Sequence, residues 1–376
     1  MKISEFREEF TYLKSGKIYF NHASTGPMSK RVLNTIEKVL YEKSENNIDD
    51  YLGLQAVIKE SKSNLAEMLN TLPDRIAYID NTSTGLNIIA QGVKWKKGDR
   101  ILLNDLEFPA NVYPFLNLKK EGVEVDFIKS HKGIVSAEDV IESIKPSTRL
   151  ISISYVQFLT GYRVDLEKIG KVCKDKGIIF SVDAIQGLGA LKLDVQKCNI
   201  DYLSSGSQKW MLGLQGLGMI YISEELQQNM NPKYVGWLSV DDAWNLLNYD
   251  LKLKKSADCF QGGTLNSIGI YALNASLKFF KEFGFDKIEE FVLSNSEYFI
   301  KQLQLIGLNP ILESCSRENL SGIVSFKYKD SQKVFDLLSG LNIHCAIREG
   351  YVRFSPHFYN INEEINKVTE ALSKII

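Results

Sequence analysis

IDYLSSGSQKWMLGLQGLGMIYI, residues 200 to 222, is the stretch whose reading decides the fold. Asp201 to Ser204 reads as the end of a short buried strand, Ser205-Gly206-Ser207-Gln208 as a polar, flexible turn, and Leu217 to Ile222 as a second strand. Lys209 stands between the two strands, flanked by glycines and hydroxyls. A solubilising charge has little purpose in such a place. An amine held out of bulk water there has its pKa lowered and becomes nucleophilic. The stretch by itself also fits a surface lysine in a hairpin loop.

Upstream, Gly177 to Gln186 reads GIIFSVDAIQ. Ile178 to Asp183 suits a buried strand with Asp183 at its carboxyl end, where open α/β sheets seat their ligands. A charge in that position needs a partner. An aspartate at one strand end and a lysine in the turn after the next point to pyridoxal phosphate. The lysine would form the Schiff base and the aspartate would pair with the pyridinium nitrogen. Asp183 alone equally suits a helix N-cap.

Four motifs now stand in order: VDAIQ (Val182 to Gln186), SSGSQKW (Ser204 to Trp210), FQGGTLN (Phe260 to Asn266) and VRFSPHFYN (Val352 to Asn360). Together they resemble the class V aminotransferase family. These are fold-type I pyridoxal phosphate enzymes that include cysteine desulfurases, kynureninases and isopenicillin-epimerase-like proteins. The resemblance runs from Tyr19 to the C-terminus. It implies an α/β fold, with a mostly parallel seven-stranded-type sheet flanked by helices and a smaller α+β C-terminal domain. The expected division is an N-terminal segment, 1–20, packing on the small domain, a large cofactor-binding domain, 21–284, and the small domain, 285–376.

Composition agrees with a soluble globular chain: 376 residues, 44% hydrophobic, 24% charged, formal net charge −1. That size exceeds one ordinary domain. With no basic block, neither nucleic acid nor an anionic membrane is expected as a partner. No apolar run is long enough to span a bilayer, and the charged opening MKISEFREEF lacks the apolar core of a signal peptide. Five cysteines at 173, 198, 259, 315 and 345 form neither a metal set nor a disulfide framework. The expectation is a cytoplasmic protein with no metal.

The rest of the chain alternates strand and helix. Strands are expected at Arg75 to Ile79, Arg100 to Asn104, Val123 to Ile128 and Arg149 to Tyr155, with helices from Ser29, over Asp50 to Leu69 and over Asp165 to Lys176. Repeated strand–helix units imply a largely parallel sheet. Near the C-terminus Ile323 to Tyr328, Ile343 to Ile347 and Tyr351 to Phe354 read as strands. A last helix sets Ile365, Val368, Leu372 and Ile375 on one face.

After Ile79, Asn81-Thr82-Ser83-Thr84-Gly85 opens a helix, where free N–H groups and hydroxyls make an anion site or an ordinary N-cap. The resemblance places the cofactor phosphate on Thr82 and Ser83, with Gln208 standing where the family has a histidine and Ser205 or Ser207 supplying a missing hydroxyl. It puts Phe108 where desulfurases stack a histidine on the ring; a phenyl ring can stack there but cannot shuttle protons. It assigns Gln157 to the cofactor's phenolic oxygen, with Gln186 a second candidate for that oxygen or the phosphate. It has Thr264 capping the phosphate of a neighbouring subunit, hence a homodimer. The N-terminal loop of the family reaches the active site, which makes His22 a substrate contact or a loop histidine bonded to nearby backbone. Arg353 takes the place of the family's carboxylate-binding arginine, with Arg348 competing; either equally suits a structural ion pair.

The function implied is a pyridoxal phosphate enzyme acting on an amino acid. Lys209 removes the Cα proton and Asp183 keeps the ring nitrogen protonated. Class V aminotransferase is the first reading, a β-lyase (C–S lyase) or epimerase the next, and a non-catalytic cofactor sensor the reading outside enzymes. Cysteine desulfurase is placed lower. Only Glu349-Gly350-Tyr351-Val352 separates Arg348 from Arg353, too little for a mobile loop with a nucleophilic cysteine, and Cys345 falls inside an expected strand, IHCAI.

Overall fold

A computed structural model of the protein describes residues 3–375. Its strands are β1 (Ile18–Tyr19), β2 (Ile76–Ile79), β3 (Arg100–Asn104), β4 (Glu124–Ile128), β5 (Thr148–Ser154), β6 (Ile179–Asp183), β7 (Tyr202–Gly206) and β8 (Gly218–Ile222), followed by β9 (Val324–Lys327), β10 (Ile343–His344), β11 (Ala346–Arg348) and β12 (Tyr351–Phe354). Seven of these form one sheet in the order β2-β8-β7-β6-β5-β3-β4. β8 runs antiparallel to both neighbours, and the other pairings are parallel.

Alternation along each strand feeds two apolar layers. Leu102, Ile151, Val182 and Leu203 join the core on one face; Ile101, Leu103, Leu150 and Tyr202 join the core on the other. A sheet buried on both faces needs near-continuous apolar strands, and β7 and β8 are buried at every position. The helices start where short polar side chains satisfy the first free N–H groups. Ser29 accepts from Val32 N, Asp50 from Gly53 N, Asn81 from Thr84 N and Asp165 from Lys168 N.

Two segments differ from the sequence reading. Ser205 and Gly206 belong to β7 rather than to the turn, because they pair with Met219 and Gly218 in the β7–β8 ladder. The strand expected at Ile343 to Ile347 breaks at Cys345: Ile343 and His344 pair with β1, while Ala346 to Arg348 pair with β12. The chain changes partner at that residue.

β9, β11 and β12 make a three-stranded antiparallel sheet beside the helices Phe285–Leu305 and Asn362–Leu372. The N-terminal segment reaches this region through β1. Phe6 packs on Phe279 and Phe283, and Phe10 stacks on Tyr359 at 3.8 Å. No described helix is long and apolar enough to cross a membrane.

Candidate active site

Parallel register sets Ser154, Asp183 and Ser204 side by side at the carboxyl ends of β5, β6 and β7. Asp183 is 3% exposed, and its Oδ1 accepts from Ile185 N at 3.0 Å. Burial pushes its carboxyl pKa up, Glu107 adds to the push, and Lys209 opposes it. Lys209 lies three residues beyond the end of β7. Burial pushes its ammonium pKa down, Asp183 resists, and Arg353 and Arg348 push the same way as burial. Two carboxylates, Asp183 and Glu107, and three cations, Lys209, Arg353 and Arg348, therefore act on one another here, a positive excess that favours an anionic occupant. Lys209 Nζ stands 5.9 Å from the centre of the Phe108 ring, which meets Phe158 edge-on at 5.2 Å. Phe108 is 48% exposed, so it is a ring offered to the cleft rather than a core filler.

Arg353 enters from β12. It is 2% exposed, donates to Phe158 O at 2.6 Å and to Ser24 Oγ at 3.0 Å, and its pKa is lowered to about 10 by burial and Arg348. Arg348 is exposed and donates to the same Ser24 hydroxyl at 3.2 Å. A buried guanidinium ordinarily finds a carboxylate; this one finds a hydroxyl and a carbonyl.

Three buried polar atoms here have no partner: Thr82 Oγ1, Gln157 Oε1 and Arg353 Nε. Buried polar groups are otherwise nearly always satisfied. Asn81, not Thr82, caps the helix Thr82–Gly92 by accepting from Thr84 N, so the Thr82 hydroxyl and the N–H groups of Thr82 and Ser83 remain for an anion. A carboxylate opposite an amine, an open ring face, a helix start and an unpaired guanidinium fit pyridoxal phosphate and an amino acid's carboxylate. Among the described residues no cluster of histidine, cysteine and acidic side chains is placed to hold a metal.

Several residues singled out in the sequence are used elsewhere. His22 is fully buried, with Nδ1 on Ser355 O at 2.8 Å and Nε2 on Tyr359 OH at 2.6 Å, so neither ring nitrogen is left for a substrate. Gln186 donates to Ala23 O and accepts from Trp210 Nε1, each at 3.0 Å; its amide ties the N-terminal loop to the residue after Lys209 and is closed to a cofactor. The single hydroxyl hydrogen of Ser207 is shared between Leu214 O and Leu217 O and holds the turn, while Ser205 Oγ donates to Gly206 O. Neither serine is free for a phosphate. Gln208 folds its side chain over Gly206, where an added Cβ would lie 2.4 Å from Oε1; that glycine gives it room. Gln157 is 4% exposed, and its N–H2 is turned inward to Asn104 and Glu107. Ser83 and Thr264 come together within one chain, at a cavity of about 720 Å³ whose lining includes neither Lys209 nor Asp183.

The N-terminal loop does reach the cleft, through residues that local reading missed. Gly26 N donates to Gln208 O at 2.7 Å, and Ser24 meets both arginines. The signal for them lies in the hydroxyl-rich NHASTGP (Asn21 to Pro27). Glu107, beside Phe108, is a further buried carboxylate at the site, and its charge raises the pKa of Asp183.

Against known proteins, the family model described as Aminotransferase class-V matches residues 18–368. The chain belongs to the class V aminotransferase family. Members of this family are pyridoxal phosphate enzymes. The chain is 27% identical over 403 residues to a probable cysteine desulfurase of Methanothermobacter thermautotrophicus, covering 100% of this chain and 98% of that one. It is 30% identical over 395 residues to a probable cysteine desulfurase of Mycoplasma genitalium, covering 96% and 93%. The apo cysteine desulfurase of Thermococcus onnurineus superposes with a TM-score of 0.90 at 24% identity, covering 100% of this chain and 98% of that one. The cystine C–S lyase C-DES, solved with its product cysteine persulfide, superposes at 0.88 and 24% identity, covering 97% and 99%. This class V member therefore has the pyridoxal phosphate fold, and its relatives carry desulfurase names more often than the sequence reading favoured.

Proposed function

We propose that the protein is a pyridoxal phosphate enzyme that eliminates a sulfur substituent from the β-carbon of an amino acid, a C–S lyase, rather than an aminotransferase. Lys209 and Asp183 are the catalytic pair. The bound cofactor supplies an electron sink for the pair left when the Cα proton departs. Arg353 holds the substrate carboxylate and fixes the Cα–H bond toward Lys209. Lys209, its pKa lowered, is available as a free amine to take that proton. When pyridoxal phosphate is bound, Asp183 would pair with the ring nitrogen, Phe108 would cover the ring, and Thr82 with Gln208 would hold the phosphate. In the elimination the Cα–H electron pair becomes a Cα=Cβ bond and sulfur leaves with the Cβ–S pair. Hydrolysis of the freed enamine then gives keto acid and ammonia.

The observation that carries the lyase over the desulfurase is the state of the cysteines. Burial holds the thiols of Cys173, Cys198, Cys259, Cys315 and Cys345 above their ordinary pKa, Cys345 at about 12. Sulfur transfer to the enzyme needs a thiolate. The relatives' desulfurase and cystine-lyase names support a sulfur amino acid as substrate. The deciding assay incubates the holoenzyme with cysteine and with cystine. Pyruvate and ammonia in equal amounts, with sulfide or persulfide released to solution, support elimination. Keto acid without ammonia means transamination, alanine with enzyme-bound persulfide means desulfurase, and either result removes the lyase.

We also propose a homodimer. Tyr234, which lines the cavity at Thr264, and Trp244, which packs on Trp237, are 75% and 61% exposed, an apolar face that a second chain would cover. Sedimentation giving the 42.6 kDa mass of one chain would remove it.

A further inference from the structure

Glu107 is a buried carboxylate with no task in the reaction outlined above. Asn104 Nδ2 (2.6 Å), Ser154 N (2.9 Å) and Gln157 Nε2 (3.2 Å) donate to its Oε1; Asn111 Nδ2 (3.0 Å) and Ser154 Oγ donate to its Oε2. Both asparagine amides are fixed in that sense. Asn104 Oδ1 accepts from Leu106 N at 2.9 Å, and Asn111 Oδ1 accepts from Ser152 Oγ at 2.6 Å. A proton on Oε1 would meet only N–H groups, and one on Oε2 would find a single acceptor, the Ser154 hydroxyl. Burial raises the pKa of Glu107, but donors gathered on the charged form pull it back and keep the group ionised at neutral pH. All of these partners are neutral, so none of them cancels the charge.

That charge stands against Asp183. Ser154, which gives Glu107 both its N–H and its hydroxyl, is the Cα partner of Asp183 across the parallel pair β5–β6. Adjacent strands lie about 4.8 Å apart, so one serine separates the two carboxylates. Their surroundings differ: five donors hold Glu107, and Ile185 N alone donates to Asp183 Oδ1. Of two neighbouring carboxylates, the one with fewer donors is the one beside which a proton settles. The other charges facing Asp183 are Lys209 from the turn after β7 and, behind it, Arg353 from β12 and Arg348 from β11.

We propose that Glu107 is a positioning residue acting through Asp183: a second, ionised carboxylate that keeps a proton on the ring nitrogen opposite Asp183 at pH values where a lone aspartate would release it. The inference rests on the pyridoxal phosphate reading of the cleft. A protonated ring nitrogen makes the stronger electron sink, so the charge at Glu107 serves the step that Lys209 begins without touching substrate or cofactor.

The test is nitrogen NMR of the holoenzyme, loaded with pyridoxal phosphate whose ring nitrogen is isotopically labelled and followed against pH. The chemical shift of that nitrogen separates its protonated from its free form. Glu107→Gln keeps the shape and removes the charge, and its ring nitrogen loses the proton about one to two pH units below wild type, the effect of one nearby charge in a protein interior. Glu107→Asp disturbs the hydrogen bonds but keeps the charge, and titrates with wild type. A merely structural role gives a different pattern, with Glu107→Asp displaced as far as Glu107→Gln, and that result overturns the proposal. Superimposable titrations of wild type and Glu107→Gln overturn it too. If Glu107→Gln does not fold, wild type still decides: a ring nitrogen already free of its proton at neutral pH overturns the proposal. A labelled cofactor that wild type leaves unbound, giving only its free-solution signal, overturns instead the cofactor reading beneath it.

Discussion

Arg353 and Arg348 share the Ser24 hydroxyl, yet their surroundings give them different weight. Arg353 is buried and half satisfied by a carbonyl and a hydroxyl; Arg348 stands in water on the neighbouring strand. A charged hydrogen bond out of water is worth far more than one in it. Arg353→Lys, which keeps the charge but loses the planar fork, is expected to raise KM for the amino acid about 10- to 150-fold. Arg348→Lys should raise it only about twofold to fivefold. Steady-state kinetics of the two variants check this, and the opposite ranking would make Arg348 the carboxylate ligand.

At the scale of elements, the lysine turn depends on the loop Asn21 to Pro27 packed against it. A Cβ on Gly26 would fall 2.4 Å from Lys209 O and 2.6 Å from Leu212 Cδ2. Leu212 sits at φ 53, already in the left-handed region, and has little freedom to yield. Gly26→Ala is therefore expected to displace the Lys209 backbone, destabilising the fold by about 1–3 kcal/mol as overpacking does. It should lower kcat more than it raises KM, because the clash falls on the Lys209 backbone itself, whereas Arg353 is also held by Phe158 O outside the loop. A thermal melt and kinetics together test this; unchanged kcat with a lowered melting point would mean that the turn moves without carrying Lys209.

Across the whole molecule, the N-terminal segment, the lysine turn and the C-terminal motif meet at two buried histidines. His357 Nε2 donates to Trp210 O at 2.9 Å, and His22 packs beside Trp210 at 6.0 Å. Burial lowers both pKa values, that of His357 to about 4 from 6.5. Both are thus neutral in the folded chain, and as pH falls the unfolded chain takes up their protons first. The His357 contribution to stability is complete above pH 6.5 and is lost as pH drops toward 4, and that of His22 is lost in the same direction. Asp183 and Glu107, with raised values, act in the opposite sense. Comparison with His357→Gln isolates the histidine. Denaturant midpoints between pH 6.5 and 4 should fall less steeply in the variant, by up to about 1.4 kcal/mol for each pH unit. Parallel curves would mean that His357 is charged when folded.

The strand–helix alternation, a largely parallel sheet and the placement of Asp183 and Lys209 at the ends of neighbouring strands were legible in the chain itself, whereas the count of seven strands came from the family resemblance. The first three are written in local hydrophobic periodicity and in where an apolar run stops. What only tertiary structure decided was which polar side chains are used up by one another. His22 finds Ser355 across 333 positions, Gln186 finds Ala23 across 163, and Ser24 meets Arg353 across 329. A hydrogen-bonding group carries no mark of its distant partner. His22 and Gln186 were therefore expected in the site and proved to be struts, while Ser24, Gly26 and Glu107 entered it unannounced. Periodicity fixes where a residue lies along an element; only the packed chain fixes whether its polar atoms are still free.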